Sequence, residues 1–231
     1  MDFKIKLYHN EGVQNFKTEI FPNHFLLAIC GKPGSGKTSL LKHLMKSNTF
    51  FFKKFDFVFI ISPSVQEFKS FFLPPENLFT KLDLNFLENS INKVKQYILD
   101  NDVNYINVLI ILDDCITELV ELNNNKDILA FIFNRRHLLN IDGKDRGMVS
   151  IIITTQKFNK LSTSIRTCLS TFIFFKLNPM DYKILFEDII YGDKIEFENN
   201  INLLNTTSEY SNFIIYRVDK NKYYLNFKEI N

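Results

Sequence analysis

Gly31-Lys32-Pro33-Gly34-Ser35-Gly36-Lys37-Thr38 gathers three of the chain's seven glycines around a lysine and a hydroxyl. The spacing is G-x-x-x-x-G-K-[ST], the P-loop or Walker A pattern. Glycines let successive backbone N–H groups converge on phosphate oxygens, and a helix beginning at the end of the loop adds a favourable dipole. Lys37 is then placed to reach the β- and γ-phosphates, and the Thr38 hydroxyl to hold Mg2+. Gly31, Lys32, Pro33, Gly34, Ser35, Gly36, Lys37, Thr38 and Ser39 form the expected nucleotide-binding set, with ATP and Mg2+ as cofactors.

Further along, Val108-Leu109-Ile110-Ile111-Leu112 delivers Asp113 and Asp114 from the end of an apolar run. That is the Walker B arrangement, with Asp113 expected to bind magnesium and Asp114 to polarise the attacking water. Asp is one methylene shorter than the Glu of many P-loop ATPases. Gln156 ends the run Ile151-Ile152-Ile153-Thr154-Thr155, which places it to sense the γ-phosphate or the water. Arginine is scarce. Arg135 and Arg136 follow an apolar helix and Arg166 lies just past Gln156, so any of the three is a candidate finger for a neighbouring subunit's ATP.

These side chains need a scaffold, and the hydrophobic pattern describes one. Predominantly apolar runs at 25–30, 55–61, 106–112, 148–155 and 172–177 read as buried strands. Helices are expected at 37–46, across Leu87, Ile91, Val94 and Ile98, at 128–139, around Ile165 and at 179–190, the last with proline near its start. Residues 65–85 read as a short helix and a loop, and 140–147 as a turn-rich charged connection. The expected fold is α/β, a P-loop NTPase whose mostly parallel sheet is flanked by helices, with short β additions at both termini. Residues 1–22 are expected to form an N-terminal β extension and 23–192 the ATPase core. Residues 193–231 are read as a C-terminal extension, a hairpin turning at Asp219-Lys220-Asn221.

Composition narrows the partners. Of 231 residues, 45% are hydrophobic, enough for a sizeable core and too many for a disordered chain. The formal net charge of +2 gives no global basic field, so nucleic-acid binding must come from local patches or from symmetry in an assembly. Three cysteines suit a reducing compartment, and no His/Cys spacing suggests zinc. Apolar runs fall far short of the roughly 18 residues of a membrane span, and the start lacks a signal-peptide core. The 25 phenylalanines, including Phe50-Phe51-Phe52 and Phe71-Phe72, read as core, since AT-rich codons also explain the abundant Lys, Ile and Asn.

GKPGSGKTSLL at 31–41, FDFVFIISPS at 55–64, VLIILDDC at 108–115, FNRRHLLNID at 133–142, SIIITTQKFNKL at 150–161 and STSIRTCLSTFIFF at 162–175 together resemble a particular family. They are similar to the genome-packaging ATPases of large DNA viruses and virophages, the poxvirus type within the FtsK–HerA class of DNA motors. The resemblance covers roughly residues 20–190. It implies nucleotide-site roles for Lys37, Thr38, Asp113, Asp114 and Gln156. It also implies a homo-oligomeric ring, hexameric or pentameric, with ATP between subunits and double-stranded DNA in the channel. A capsid or portal component would be a further partner, and the setting a viral factory in the host cytoplasm or the virion.

Other classes use the same loop. A helicase or loader ATPase fits the motifs, as does a nucleotide or nucleoside kinase, although a kinase's arginine-rich lid is not evident after Arg166, where only Arg217 follows. A guanine-reading N-K-x-D segment is missing, since Asn125-Lys126-Asp127 lacks the intervening residue, which argues against a regulatory GTPase.

Overall fold

Strand residues that face helices on both sides are buried and mostly apolar, and five of the strands here fit that pattern, with Asn107, Ser150, Thr154, Thr155 and Thr171 as their buried polar positions. In the computed structural model, which describes residues 6–7, 18–71, 73–115, 126–190, 192–206 and 212–230, these strands assemble edge to edge. They are β1 (Leu26–Cys30), β2 (Phe57–Ile61), β4 (Ile106–Leu112), β7 (Gly147–Thr155) and β8 (Thr171–Phe174), each buried throughout. With β3 (Leu78–Phe79) on the edge they pair in parallel, in the order β8-β1-β7-β4-β2-β3.

Alternation sorts the side chains onto two faces. Leu26, Ala28 and Cys30 point into one core with Leu87, Ile91 and Val94 of α2 (Leu84–Asp100). Leu27 and Ile29 point into the other, against Leu40, Leu41 and Leu44 of α1 (Lys37–Lys46). The second core also takes the phenylalanines around the start of the sheet. Phe51 lies 5.0 Å from Phe21 and 5.5 Å from Phe25, ring to ring, so Phe51, with Phe50, is core as expected, while Phe52 is half-buried and the side chains of Phe71 and Phe72 lie outside the described residues.

Among the described residues, the helices after the Walker B strand are α3 (Lys126–Phe133), α4 (Thr163–Thr167), α5 (Pro179–Asp188) and α6 (Lys194–Thr206). The expected helix over 128–139 is shorter than that. It ends at Phe133, tightens into a 3-10 turn at Asn134–Arg136, and gives way to a two-stranded ribbon, β5 (Asn140–Ile141) and β6 (Lys144–Asp145). Asp142-Gly143 forms the two-residue turn of that ribbon, a pair that favours such hairpins. The charged connection is therefore ordered. The segment after β2 likewise holds 3-10 turns at Val65–Phe71 and Pro75–Asn77, and then β3.

The C-terminal part is more than a hairpin. Helix α6 precedes it, with the Asp193 carboxylate accepting from the Ile195 and Glu196 amides at its start. The hairpin strands β9 (Ile214–Arg217) and β10 (Lys222–Leu225) turn at Asp219-Lys220-Asn221 as expected, and β11 (Lys228–Ile230) adds a third. All three are antiparallel and extend the main sheet from β8, making nine strands among the described residues. Of the expected N-terminal β extension, residues 6–7 and 18–22 are described and form no strand, and the rest lies outside the described residues; at Lys6 the backbone N–H and C=O are both met by the side-chain amide of Asn77.

Candidate functional site

In a parallel sheet the carboxyl ends of neighbouring strands share one edge, and ligands bind in the crevice outside it. Strands β2, β4, β7 and β1 are adjacent, so Ser62, Asp113-Asp114, Gln156 and the phosphate loop all emerge along that edge. The Gly31 amide donates to the Thr155 carbonyl at 3.2 Å, and the Asp113 amide to the Ile61 carbonyl at 2.8 Å, tying loop and acids to the sheet.

The loop's glycines have separate reasons to be glycine. Gly36 takes φ 101° just before α1, where a Cβ would be strained. At Gly31 a Cβ would stand 3.0 Å from the Phe175 ring and closer still to the Ser35 hydroxyl. Lys37 is buried, and its ammonium donates to the carbonyls of Gly31 at 2.7 Å and Lys32 at 3.2 Å, so it lies across the mouth of its own loop.

Asp113 is only 6% exposed. Its two carboxylate oxygens are separately held, one by the Thr154 hydroxyl at 2.8 Å and the other by the Ser62 hydroxyl at 2.9 Å. Burial pushes this carboxyl above the ordinary value, the two hydroxyl bonds pull it back, and the charges of Asp114 and Glu67 raise it again. Asp114 adopts φ 49°, a left-handed conformation that Asp and Asn tolerate better than most residues. Its amide donates to the Thr154 hydroxyl oxygen at 3.0 Å, and one carboxylate oxygen accepts from Gln156 Nε2 at 3.2 Å. The other oxygen is buried without a hydrogen-bond partner.

Pro33, Gly34, Gly36, Lys37, Thr38 and Ser39 face Asp114 and Gln156 across a cleft of about 330 Å3. The loop and both polar strand ends thus meet in one place. Over most of its length, from residue 13 to 223, the sequence matches the family model described as Poxvirus A32 protein. The chain belongs to the poxvirus A32 protein family.

It matches no curated protein sequence. Among solved structures, this A32-family chain is similar to B204, the DNA-packaging ATPase from Sulfolobus turreted icosahedral virus. The two are 17% identical with a TM-score of 0.54, over 88% of this chain and 97% of the other. The genome-packaging NTPase B204 of Sulfolobus turreted icosahedral virus 2, in complex with ATP-gammaS, gives a TM-score of 0.54 at 14% identity, over 89% and 98%. At such identities the likeness concerns the fold, a P-loop NTPase sheet.

The three arginines do not join the cleft. Arg135 is buried at the opposite end of the sheet, where it donates to the carbonyls of Ile132 and of His24, two residues ahead of β1. Burial, with the charge of Arg136 beside it, pushes its guanidinium down to about 10. Arg136, next along, is exposed. Arg166 pairs with Asp188 at 2.6 Å and donates to the Leu161 carbonyl and the Thr163 hydroxyl.

Sequence reasoning missed Ser62 and Thr154, the two hydroxyls that hold Asp113. Both stand at strand ends on this edge, Ser62 just after β2 and Thr154 within the last two residues of β7, and that position was the available signal. Cys30 and Cys115 are buried packing residues as expected. The Cys30 thiol is pushed up by burial, and Cys115 donates to the Ile61 carbonyl at 3.2 Å. Among the described residues no helix is long and apolar enough to cross a membrane.

Proposed function

We propose that this chain is the ATPase of a viral genome-packaging motor, hydrolysing ATP to move double-stranded DNA into a capsid. The observation that carries the reading is the convergence of Lys37, Asp114 and Gln156 on one cleft in a chain of the A32 family. The reaction is in-line attack of water on the γ-phosphate. Lys37 exchanges the Gly31 and Lys32 carbonyls for β- and γ-phosphate oxygens, with the loop amides and the start of α1 supplying further positive potential.

The residues also suit Mg2+. Thr38 offers a hydroxyl and Asp113 a carboxylate, an all-oxygen donor set of few protein ligands, which matches an ion that keeps water and phosphate in its shell. No cluster of three or more His, Cys, Asp or Glu competes for a metal among the described residues. When held by Thr38 and Asp113, the ion would act as a Lewis acid that offsets phosphate charge. Asp114 orients the water and accepts its proton, and Gln156, bonded to Asp114, relays the presence of the γ-phosphate.

Among the arginines we assign the finger to Arg136, acting in trans on the next subunit of a ring, because the residue is exposed while the guanidinium groups of Arg135 and Arg166 are engaged within the chain. A ring also reconciles the near-neutral charge with DNA binding, since each weak phosphate contact is multiplied by the subunit number. The setting that follows is the viral factory or the virion.

Steady-state ATP hydrolysis with and without linear double-stranded DNA, with Lys37→Ala as the blank, tests the reading. DNA stimulation is expected. Hydrolysis indifferent to DNA but raised by a nucleoside acceptor would replace the motor with a kinase.

A further inference from the structure

A second depression adjoins the phosphate cleft and shares Gly36 and Ser39 with it. Its volume is about 520 Å3, and its walls carry the rings of His43, Phe175, Phe213 and Phe227. Ser39 and His43 lie one turn apart on α1, so the depression begins at the helix turn that the phosphate loop opens and runs out along it. Any nucleotide anchored by its phosphates at Gly36–Thr38 must send its sugar and base into one of the spaces bordering the loop, and this one is lined by aromatic faces.

The far wall is built against local preference. Asn226 and Phe227 form the two-residue turn between β10 and β11, with Leu225 paired to Lys228 across it. Both turn residues have positive φ, 47° and 72°. A turn of this kind favours Asn followed by Gly, so the first position is satisfied and the second is not. A bulky aromatic at φ 72° is an outlier that the surroundings must hold in place. They do so through the neighbouring amides. The Asn226 side chain accepts from the Phe213 amide at 3.1 Å and donates to the Asn212 side-chain oxygen at 2.6 Å. The Phe227 ring then sits 5.1 Å from Phe213, 4.6 Å from Phe50 and 5.7 Å from His43. It stays half-buried, whereas Phe50 and Phe213 are buried.

We infer that this aromatic depression seats the base of the nucleotide, with Phe227 the residue that determines its affinity, and that it holds the base by ring faces rather than by reading its edge. The inference rests on the nucleotide reading of the phosphate loop and adds to it a base site supplied by the C-terminal strands. Face contact is tolerant of base identity because every base has a π-face. The Asn226 amide, which could otherwise read a base edge, is spent on holding the turn. The site therefore accepts adenine and guanine nucleotides with similar affinity.

The chain contains no tryptophan, so Phe227→Trp places a single indole fluorophore in the depression. Three probes are titrated into that variant, into the wild type and into Phe227→Gly: ATP, GTP and inorganic tripolyphosphate. Phe227→Gly suits the turn, because glycine is at ease at φ 72°. The indole emission is expected to change on saturation with ATP and with GTP and to stay flat with tripolyphosphate. By calorimetry, Phe227→Gly is expected to weaken ATP and GTP each five- to tenfold while tripolyphosphate stays within twofold. Unchanged ATP affinity in Phe227→Gly, or an equal loss for tripolyphosphate, would overturn the base site. A loss for ATP but not GTP would overturn the face-held mode. Failure of the wild type to bind any of the three would instead remove the nucleotide reading, and this inference with it.

Discussion

Thr154 joins the two acids of the site: its hydroxyl donates to the Asp113 carboxylate at 2.8 Å and accepts the Asp114 amide at 3.0 Å. One side chain on β7 thus sets the orientation of the carboxylate just after β4 and the unusual backbone of the residue after it. The register of the β4–β7 ladder makes this possible, since Leu112 is paired with Ile153 and the next residues on each strand fall side by side.

Thr154→Val keeps the shape and removes both hydrogen bonds. A bond to a charged group contributes about 1.5–3 kcal/mol, so a tenfold or greater rise in the Mg2+ concentration needed for half-maximal hydrolysis is expected. Because the lost bond held the Asp113 carboxyl down, the defect should be larger at pH 6 than at pH 8. A metal titration at the two pH values checks this, and an unchanged Mg2+ requirement would remove Thr154 from the site.

Asp113→Asn should stabilise the metal-free protein while destroying its activity. Burial leaves the folded carboxyl with a raised pKa, so the folded chain binds its proton more tightly than the unfolded chain does. Stability therefore falls as pH rises from the ordinary carboxylate value through the folded one, and the penalty is fully present above the folded value. Asn removes the charge. A gain of about 1 kcal/mol would raise Tm by roughly 2–4 °C for a chain of this size. Thermal melts in chelator at pH 7 and pH 4 are expected to show the gain only at the higher pH.

Asp114→Asn is the cleanest probe of the proposed base. Asn tolerates the φ of 49° that Ala would make strained, so the fold should be unaffected. Turnover is expected to fall at least about a hundredfold, in line with loss of general-base assistance, while ATP affinity stays within about threefold. Loss of ATP binding in this variant would move Asp114 to a metal or structural role.

Arg135→Ala and Arg136→Ala should behave differently despite being neighbours. The first strips donors from two carbonyls, one of them two residues ahead of β1, and is expected to cost roughly 1–3 kcal/mol of stability. The second should leave the melting temperature unchanged and abolish hydrolysis, with activity partly restored on mixing with Lys37→Ala subunits. No recovery at any mixing ratio would count against a finger acting in trans.

Much of this protein was legible in its sequence because the constraints are local. A parallel sheet covered on both faces demands near-continuous apolar strands, and a phosphate loop demands glycine, lysine and a hydroxyl at set spacing. So the five main strands, α1 and the sequence of the loop follow from residues 25–61, 106–112, 148–155 and 172–177 alone. Elements stabilised by tertiary contact were not legible. Helix α6 has little amphipathic pattern, β3 is two residues long, and the ribbon at 140–145 lies within a charged stretch, although its Asp-Gly turn was a usable signal.

Strand order decided the rest. Ser62 lies 51 residues from Asp113, and Thr154 lies 41 residues from it, and nothing in either neighbourhood names its partner. Only the adjacency of β2, β4 and β7 brings the three together. The same is true of Arg135, whose contact with the carbonyl of His24 spans 111 residues. Phe227 reaches the phosphate loop's flank because the C-terminal strands join the sheet beside β8. Residue types and short spacings are encoded along the chain; which distant hydroxyl, carbonyl or ring meets them depends on the order in which the strands pack.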